Sequence, residues 1–316
     1  MMKRREFVSL VAGGCAAAGL SGRLAALAAD TQGHASRANA ADKHSRIAVS
    51  TWSLHNYFQS TRDQEFTLPG KMLELLDFPE MIADRYKVHH LEFCAPHFTS
   101  TAASYLKDLK ARLKKAGARV VNMPVDIEEV WTAGGLSDKN PKVRNAAVAG
   151  CRKWIDVASE IGSRAVRCDP GKMNPQDLSS TVESYKELAA YGKSKGVRVI
   201  VENHGGVGSE HPEELVKLFQ EVNNDFFGAL PDMANFPDEA TRQRGLKLLF
   251  PHAHVVCHAK GLEFDSSGKE TKYDFPNCVA ISREAGFKGI YSIEFEGPGD
   301  PYAGVQKVLD ELLMYL

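Results

Sequence analysis

The chain has 316 residues, of which 43% are hydrophobic and 25% charged, enough for one large single-core domain or two small ones. A formal net charge of -1 supplies no basic field that points to nucleic acid, where a duplex-binding protein is expected to cluster Lys and Arg. The one concentrated basic run, LKDLKARLKKAG at 106–117, sets Leu106, Leu109 and Leu113 on one face and reads as the solvated back of a helix.

The first residues differ in kind from the rest. MMKRREFVSLVAGGCAAAGLSGRLAALAAD has a basic start, a short apolar middle interrupted by Ala and Gly, and small residues before Asp30. That pattern predicts an export signal over 1–29, too short and broken to be a membrane span, so the mature form is expected to carry no stable span. Arg4-Arg5 followed by Phe7 resembles the twin-arginine signal, although Lys3 stands where that pattern prefers Ser or Thr. The resemblance implies passage through the twin-arginine export machinery in the folded state, and hence a periplasmic or exported protein. Lipoprotein anchoring at Cys15 is disfavoured, because Ala12 occupies a position where a larger aliphatic is preferred. Residues 30–46, polar and small, read as a disordered linker. Cleavage leaves Cys94, Cys151, Cys168, Cys257 and Cys278, an odd set without C-x-x-C that argues against a disulfide framework and a zinc-thiolate site.

From residue 47 onward, short β-branched apolar runs alternate with amphipathic segments. Eight strands are expected, beginning at IAVSTWSL (47), VHHLEFCAPHF (88), RVVNMPV (119), RAVRCDPG (164), VRVIVENHGG (197), FGALPDMANF (227), AHVVCHAKG (253) and IYSIEFEG (290). Helical spacing lies between them, as in VRNAAVAGCRKWIDVASEIG, where Gly162 marks the stop. The repeat averages about 35 residues, close to the roughly 30 of one βα unit, and eight units predict an α/β fold of the (β/α)8 TIM barrel type, one domain over 47–316. No G-x-G-x-x-G follows the first strand, and GGVG at 205–208 lacks the lysine of a phosphate loop.

In such barrels the reacting groups project from the C-terminal strand ends. The fifth strand ends in Glu202 and His204, the sixth in Asp232 and Asn235, the seventh in His258 and Lys260, the eighth in Glu294 and Glu296. The second strand adds Glu92 and His97, and the first adds Trp52. Any one carboxylate at a strand end is commonly a helix cap or an ion-pair partner. The set is harder to dismiss. Asp232 and Glu294 interrupt apolar runs, and three carboxylates with an imidazole around one half of a barrel mouth repel unless a cation or protons hold them. Glu202, Asp232, His258 and Glu294 are therefore expected to hold one divalent metal ion, Mn, Mg or Co first and Zn or Fe next.

These segments resemble the sugar phosphate isomerase/epimerase family, the xylose isomerase-like barrels. VIVENHGG, ALPDMANF, VVCHAKG and GFKGIYSIEFEG match its four metal-bearing strand ends in order and spacing, and the resemblance covers about 47–316. By position it implies Glu202, Asp232, His258 and Glu294 as ligands, with Glu296 competing for the fourth place. It also implies Glu92 and His97 lining the pocket, and the strand ends themselves add Trp52, His204, Asn235, Lys260 and Glu296 as expected contacts of a small-molecule carbohydrate. The chain departs from the ketose 3-epimerases at Asn235, where they carry His, and at Lys260, where their segment carries Arg.

The expected chemistry is proton abstraction next to a carbonyl of a free or oxidised sugar, through an enediolate, with Glu202 and Glu294 as base and acid on opposite faces. The alternative is a lyase or dehydratase that expels a β-substituent, of the inosose or 3-keto-glycoside type. An endonuclease IV-like phosphodiesterase would want more metals and a basic face, and a non-catalytic sugar-binding protein is the remaining class. The sequence leaves a homo-oligomer open.

Overall fold

The computed structural model describes residues 43–63 and 70–316; the expected export signal at 1–29 and the linker residues up to 42 lie outside the described residues. Eight strands follow one another: β1 Ile47–Ser50, β2 His90–Glu92, β3 Arg119–Asn122, β4 Ala165–Arg167, β5 Arg198–Glu202, β6 Phe227–Leu230, β7 Val256–Gly261 and β8 Ile290–Phe295. The principal helices between and after them are α1 Phe78–Tyr86, α2 Ala103–Lys115, α3 Pro141–Ile161, α4 Ser179–Lys195, α5 Pro212–Val222, α6 Glu239–Leu249, α7 Phe275–Glu284 and α8 Pro301–Tyr315.

All strand pairs are parallel, in the orders β3-β2-β1-β8-β7 and β4-β5-β6. Two isolated bridges, Pro124 with Arg167 and Asp232 with His258, join these groups into a closed (β/α)8 barrel. Parallel strands buried on both faces need near-continuous apolar runs, and β1, β6, β7 and β8 are buried along their whole length. The helices stop where the sequence supplies a left-handed residue: Gly162 (φ 78°) after α3 and Gly196 (φ 72°) after α4.

The composition of 30–46 suggested a linker, yet its last residues are tied to the barrel. Lys43 Nζ donates to the Leu313 carbonyl, and Arg46 donates to the carbonyls of Phe287 and Gly289 while lying over the Tyr291 ring. Polarity alone cannot separate a solvated linker from basic side chains that cap carbonyls.

The strand period of two places the site. Ile200, Leu230 and Val256 pack together as one small interior cluster, and Ile290 belongs to another with Ala48 and Val121. Two residues beyond the first three come Glu202, Asp232 and His258, and four beyond Ile290 comes Glu294. The same inward-facing rows thus pass from apolar at the barrel floor to charged at its C-terminal mouth. The described cysteines, 94, 151, 168, 257 and 278, are all buried and free. No helix among the described residues is long and apolar enough to cross a membrane.

Candidate metal and sugar site

One oxygen or nitrogen from each of Glu202, Asp232, His258 and Glu294 falls within 4.8 Å of the others, and all four residues are buried. His258 Nδ1 faces Glu202 Oε1 at 3.2 Å and both Asp232 Oδ2 and Glu294 Oε2 at 3.5 Å. Its other nitrogen, Nε2, lies 3.0 Å from Glu92 Oε1. Glu92 therefore stands behind the imidazole, held in turn by Asn122 Nδ2 at 2.9 Å. A carboxylate that accepts the Nε2 proton would leave Nδ1 free to bind a cation held among the three carboxylates, the usual support for a metal-binding histidine.

The residues fit a divalent ion on a second ground. Asp232 Oδ2 is buried without a hydrogen bond, and its neighbours Lys260 Nζ (3.4 Å) and His258 Nδ1 (3.5 Å) are too distant to satisfy it well. Asp232 Oδ1 is used, accepting from the amides of Ala234 and Asn235, so the free oxygen is aimed into the cluster. Three carboxylates and one imidazole make an oxygen-rich donor set suited to Mn, Mg or Co and acceptable to Zn. Glu92→Gln is expected to weaken metal binding about 10- to 100-fold, read by competition with a chelating dye; unchanged affinity would show that Glu92 does not orient His258.

Charge in the cluster is balanced from two sides. Lys260 Nζ reaches Glu294 Oε2 at 2.8 Å and Glu296 Oε2 at 3.1 Å. Arg167 reaches Glu202 Oε2 at 3.1 Å, Asp126 Oδ1 at 2.9 Å and Asp169 Oδ2 at 2.6 Å. Burial penalises every one of these charges, and their partners decide the outcome. His258 is held well above its ordinary pKa by Glu294, Glu92 and Glu202 against that penalty. Burial would raise Glu202, yet His258 and Arg167 hold it well below the usual carboxylate range. Glu294 is pushed up to about 6 by burial, which His258 and Lys260 only partly offset. His204, penalised by burial, is lifted to about 9 by Glu202 and by Asp169, whose Oδ2 lies 2.8 Å from Nδ1. The two carboxylates expected to act as base and acid thus differ in proton affinity, and a protonated imidazole stands beside them.

A cavity of about 260 Å³ opens over the cluster, lined by Trp52, Cys94, Asp126, Trp131, Arg167, Glu202, His204, Glu294 and Glu296. Trp52 donates its indole N–H to Glu296 Oε1 at 2.6 Å and stacks on His55. Glu296, engaged by Trp52 and Lys260, sits at the rim, whereas Glu294 belongs to the four-residue cluster. Asn235 donates to Glu202 Oε1 at 3.1 Å and so positions that carboxylate.

The structure seats His97 differently from the expected pocket lining. It is buried behind Trp52, its ring stacked 4.0 Å from that of Phe58. Thr61 gives its hydroxyl proton to the His55 carbonyl and can only accept from His97 Nε2, at 2.9 Å. His97 Nδ1 then accepts from Thr51, 2.8 Å away. A second ring proton would face a hydroxyl already donating, and burial pushes the His97 pKa down to about 3. Because the folded value lies below the ordinary 6.5, stability is whole above that pH and falls as acid protonates the unfolded chain. At pH 5 the loss is about 2 kcal/mol. Denaturant melts at pH 7 and pH 5 should show this extra loss in wild type and not in His97→Gln; equal losses would place the ring in contact with water.

Asp126, Trp131, Arg167 and Asp169 were not singled out from the sequence. Arg167 carried a signal, a charge inside the apolar run AVRC, as did Asp169 at the same strand's end. Trp131, on the short helix Glu128–Trp131 of the β3–α3 loop, carried none.

The family profile described as xylose isomerase-like TIM barrel matches residues 82–313. An inosose dehydratase from Glaesserella parasuis serovar 5 (strain SH0165) is 24% identical over 170 residues, 54% of this chain and 54% of that protein. The chain spans about half the length of the curated relatives it matches. Among solved structures, the IolI protein with a bound zinc atom superposes with a TM-score of 0.65 at 15% identity, over 86% of this chain and 99% of that one. D-allulose 3-epimerase from Methylomonas sp. gives a TM-score of 0.65 at 14% identity, over 86% and 98% of the two chains. At these identities the two structures speak for the fold.

Proposed function

Because the chain belongs to the xylose isomerase-like TIM barrel family, we propose that it is a metal-dependent isomerase or epimerase that moves a proton next to the carbonyl of a free or oxidised sugar. The observation that carries this reading is the placement of Glu202 and Glu294, two buried carboxylates of unlike proton affinity, on the wall of one cavity and around one histidine. A divalent ion held by Glu202, Asp232, His258 and Glu294 would supply Lewis acidity toward a sugar carbonyl oxygen. Glu202, kept ionised by His258 and Arg167, takes the proton from carbon, and Glu294, the more readily protonated of the two, returns one to the other face or to the adjacent carbon. Lys260 bridges Glu294 and Glu296 and offsets their repulsion, Asn235 and Arg167 hold the two oxygens of Glu202, and Trp52 walls the cavity. The basic start with Arg4-Arg5 supports twin-arginine export and a substrate met outside the cytoplasm.

A second reading, β-elimination, is favoured by the likeness to an inosose dehydratase and by His204, whose protonated ring on the cavity wall can hand a proton to a departing oxygen. Both readings are tested by incubating metal-replete protein in deuterated water with free, oxidised and phosphorylated sugars. Deuterium in a product of unchanged composition supports isomerisation or epimerisation; deuterium with loss of water or an alcohol supports elimination. No deuterium uptake across the panel with Mn, Co or Mg would sink both.

A further inference from the structure

The cavity over the four-residue cluster does not end at His204. A second cavity of about 260 Å³ adjoins it, lined by Asp169, Gly171, Lys172 and Met173 after β4 and by the 205–208 turn after β5. Trp131, Glu202 and His204 line both. Either space alone is small for an organic ligand, while together they make roughly 500 Å³, within the ordinary range of about 300–1,000 Å³ for such sites.

Trp131 stands where the two spaces meet. It is 46% exposed, and among the described residues only Met314 is another large apolar side chain left so open. Its ring meets that of His204 edge-on, with centroids 5.4 Å apart. The exposed face is not on a loose loop. Lys172 N donates to the Gly134 carbonyl at 3.2 Å, and Ser137 Oγ donates to the Pro170 carbonyl at 2.7 Å. Gly135 (φ 57°) and Gly171 (φ 71°) let the two backbones touch: a Cβ on Gly171 would collide with the Gly134 carbonyl oxygen. The β3–α3 and β4–α4 loops are thus locked together beneath the indole. A rigid, half-exposed Trp offers a flat apolar face to the C–H face of a sugar ring, at little cost in lost freedom. Beyond it, Asp169 Oδ1 is buried without a partner, and no carboxylate pairs with Lys172 among the described residues. These supply polar groups for hydroxyls.

We propose that the substrate is a glycoside or disaccharide, its reacting sugar over Glu202 and Glu294 and its second ring against Trp131 above the 205–208 turn. This rests on the proton-transfer reading for the identity of the reacting ring, but the extended cleft is testable without turnover. Binding energy from the second ring, remote from the chemistry, positions the first.

Two measurements test it. Calorimetry with glucose, cellobiose, maltose and phenyl β-glucoside on the metal-loaded full-length protein should show at least one two-ring ligand bound ten-fold or more tighter than glucose. Trp131→Ala should shrink that ratio to about one. Deuterium exchange into an oxidised hexose and its glucoside should show at least ten-fold higher kcat/KM for the glucoside, with Trp131→Ala lowering the glucoside value at least ten-fold more than the hexose value. Two-ring ligands bound no tighter than glucose, or a Trp131→Ala loss equal for both classes, would overturn the proposal. A tight two-ring complex without deuterium exchange would uphold the cleft and refute proton transfer; exchange with no preference would do the reverse.

Discussion

Glu202→Gln and Glu294→Gln are each expected to slow deuterium exchange into substrate by about 10²–10⁴-fold, the usual worth of a positioned acid or base. Glutamine keeps the side chain's length and one carbonyl oxygen, so the cluster stays filled while the proton carrier is lost. Glu202 makes the stricter test, because its carboxylate is held from both ends, by Asn235 on Oε1 and Arg167 on Oε2. The substitution removes the charge, and since both partners are donors, the glutamine oxygen keeps one of them while its N–H2 loses the other. Both variants need metal content measured beside rate, since each residue also belongs to the donor set. A variant that retains its metal and full turnover would rule out a role for that carboxylate in moving the proton. Loss of rate together with metal would assign it to ion binding alone.

Arg167→Met is expected to cost about 3–5 kcal/mol of folding stability, because it leaves buried carboxylates without their cation. The guanidinium side chain is 5% exposed, and its partners Asp126, Asp169 and Glu202 are 18%, 3% and 1% exposed. Burial first, then the charges of Asp169 and Glu202, raise the Asp126 pKa, with Arg167 acting against them. Without the arginine these groups take up protons or water. Arg167→Lys should recover little, since a single ammonium cannot reproduce the fork that meets three carboxylates at once. Urea denaturation with an unchanged m-value is the measurement, and a loss below about 1 kcal/mol would show that the carboxylates are not charged in the folded protein.

Much of this molecule was legible because two periods suffice. Alternation of buried runs with 3.6-residue patterns gave eight βα units, and a period of two along each strand carried inward-facing rows from Ile200 to Glu202 and from Val256 to His258. Parity also related Glu202 to His204 and His258 to Lys260. It failed at His97, because β2 ends at Glu92 and the chain turns into the tight helical turn Ala95–His97, where strand parity no longer applies. The partnership of Glu92 with His258 was equally out of reach, since β2 and β7 are separated by β1 and β8 and meet only across the barrel interior. Asp126, Arg167 and Asp169 compensate one another. Such a cluster shows its meaning only when every member's position is known.

The barrel is sealed between β6 and β7 by little more than the bridge at Asp232 and His258, with His258 N donating to the Pro231 carbonyl and Met233 N to the His258 carbonyl. Both bridge residues are proposed to grip the same ion. Whatever they bind acts as a clasp on the weakest seam of the staves, so part of its binding energy goes into keeping the cylinder shut. An ion that left would take with it some of the barrel's resistance to prising apart along that line.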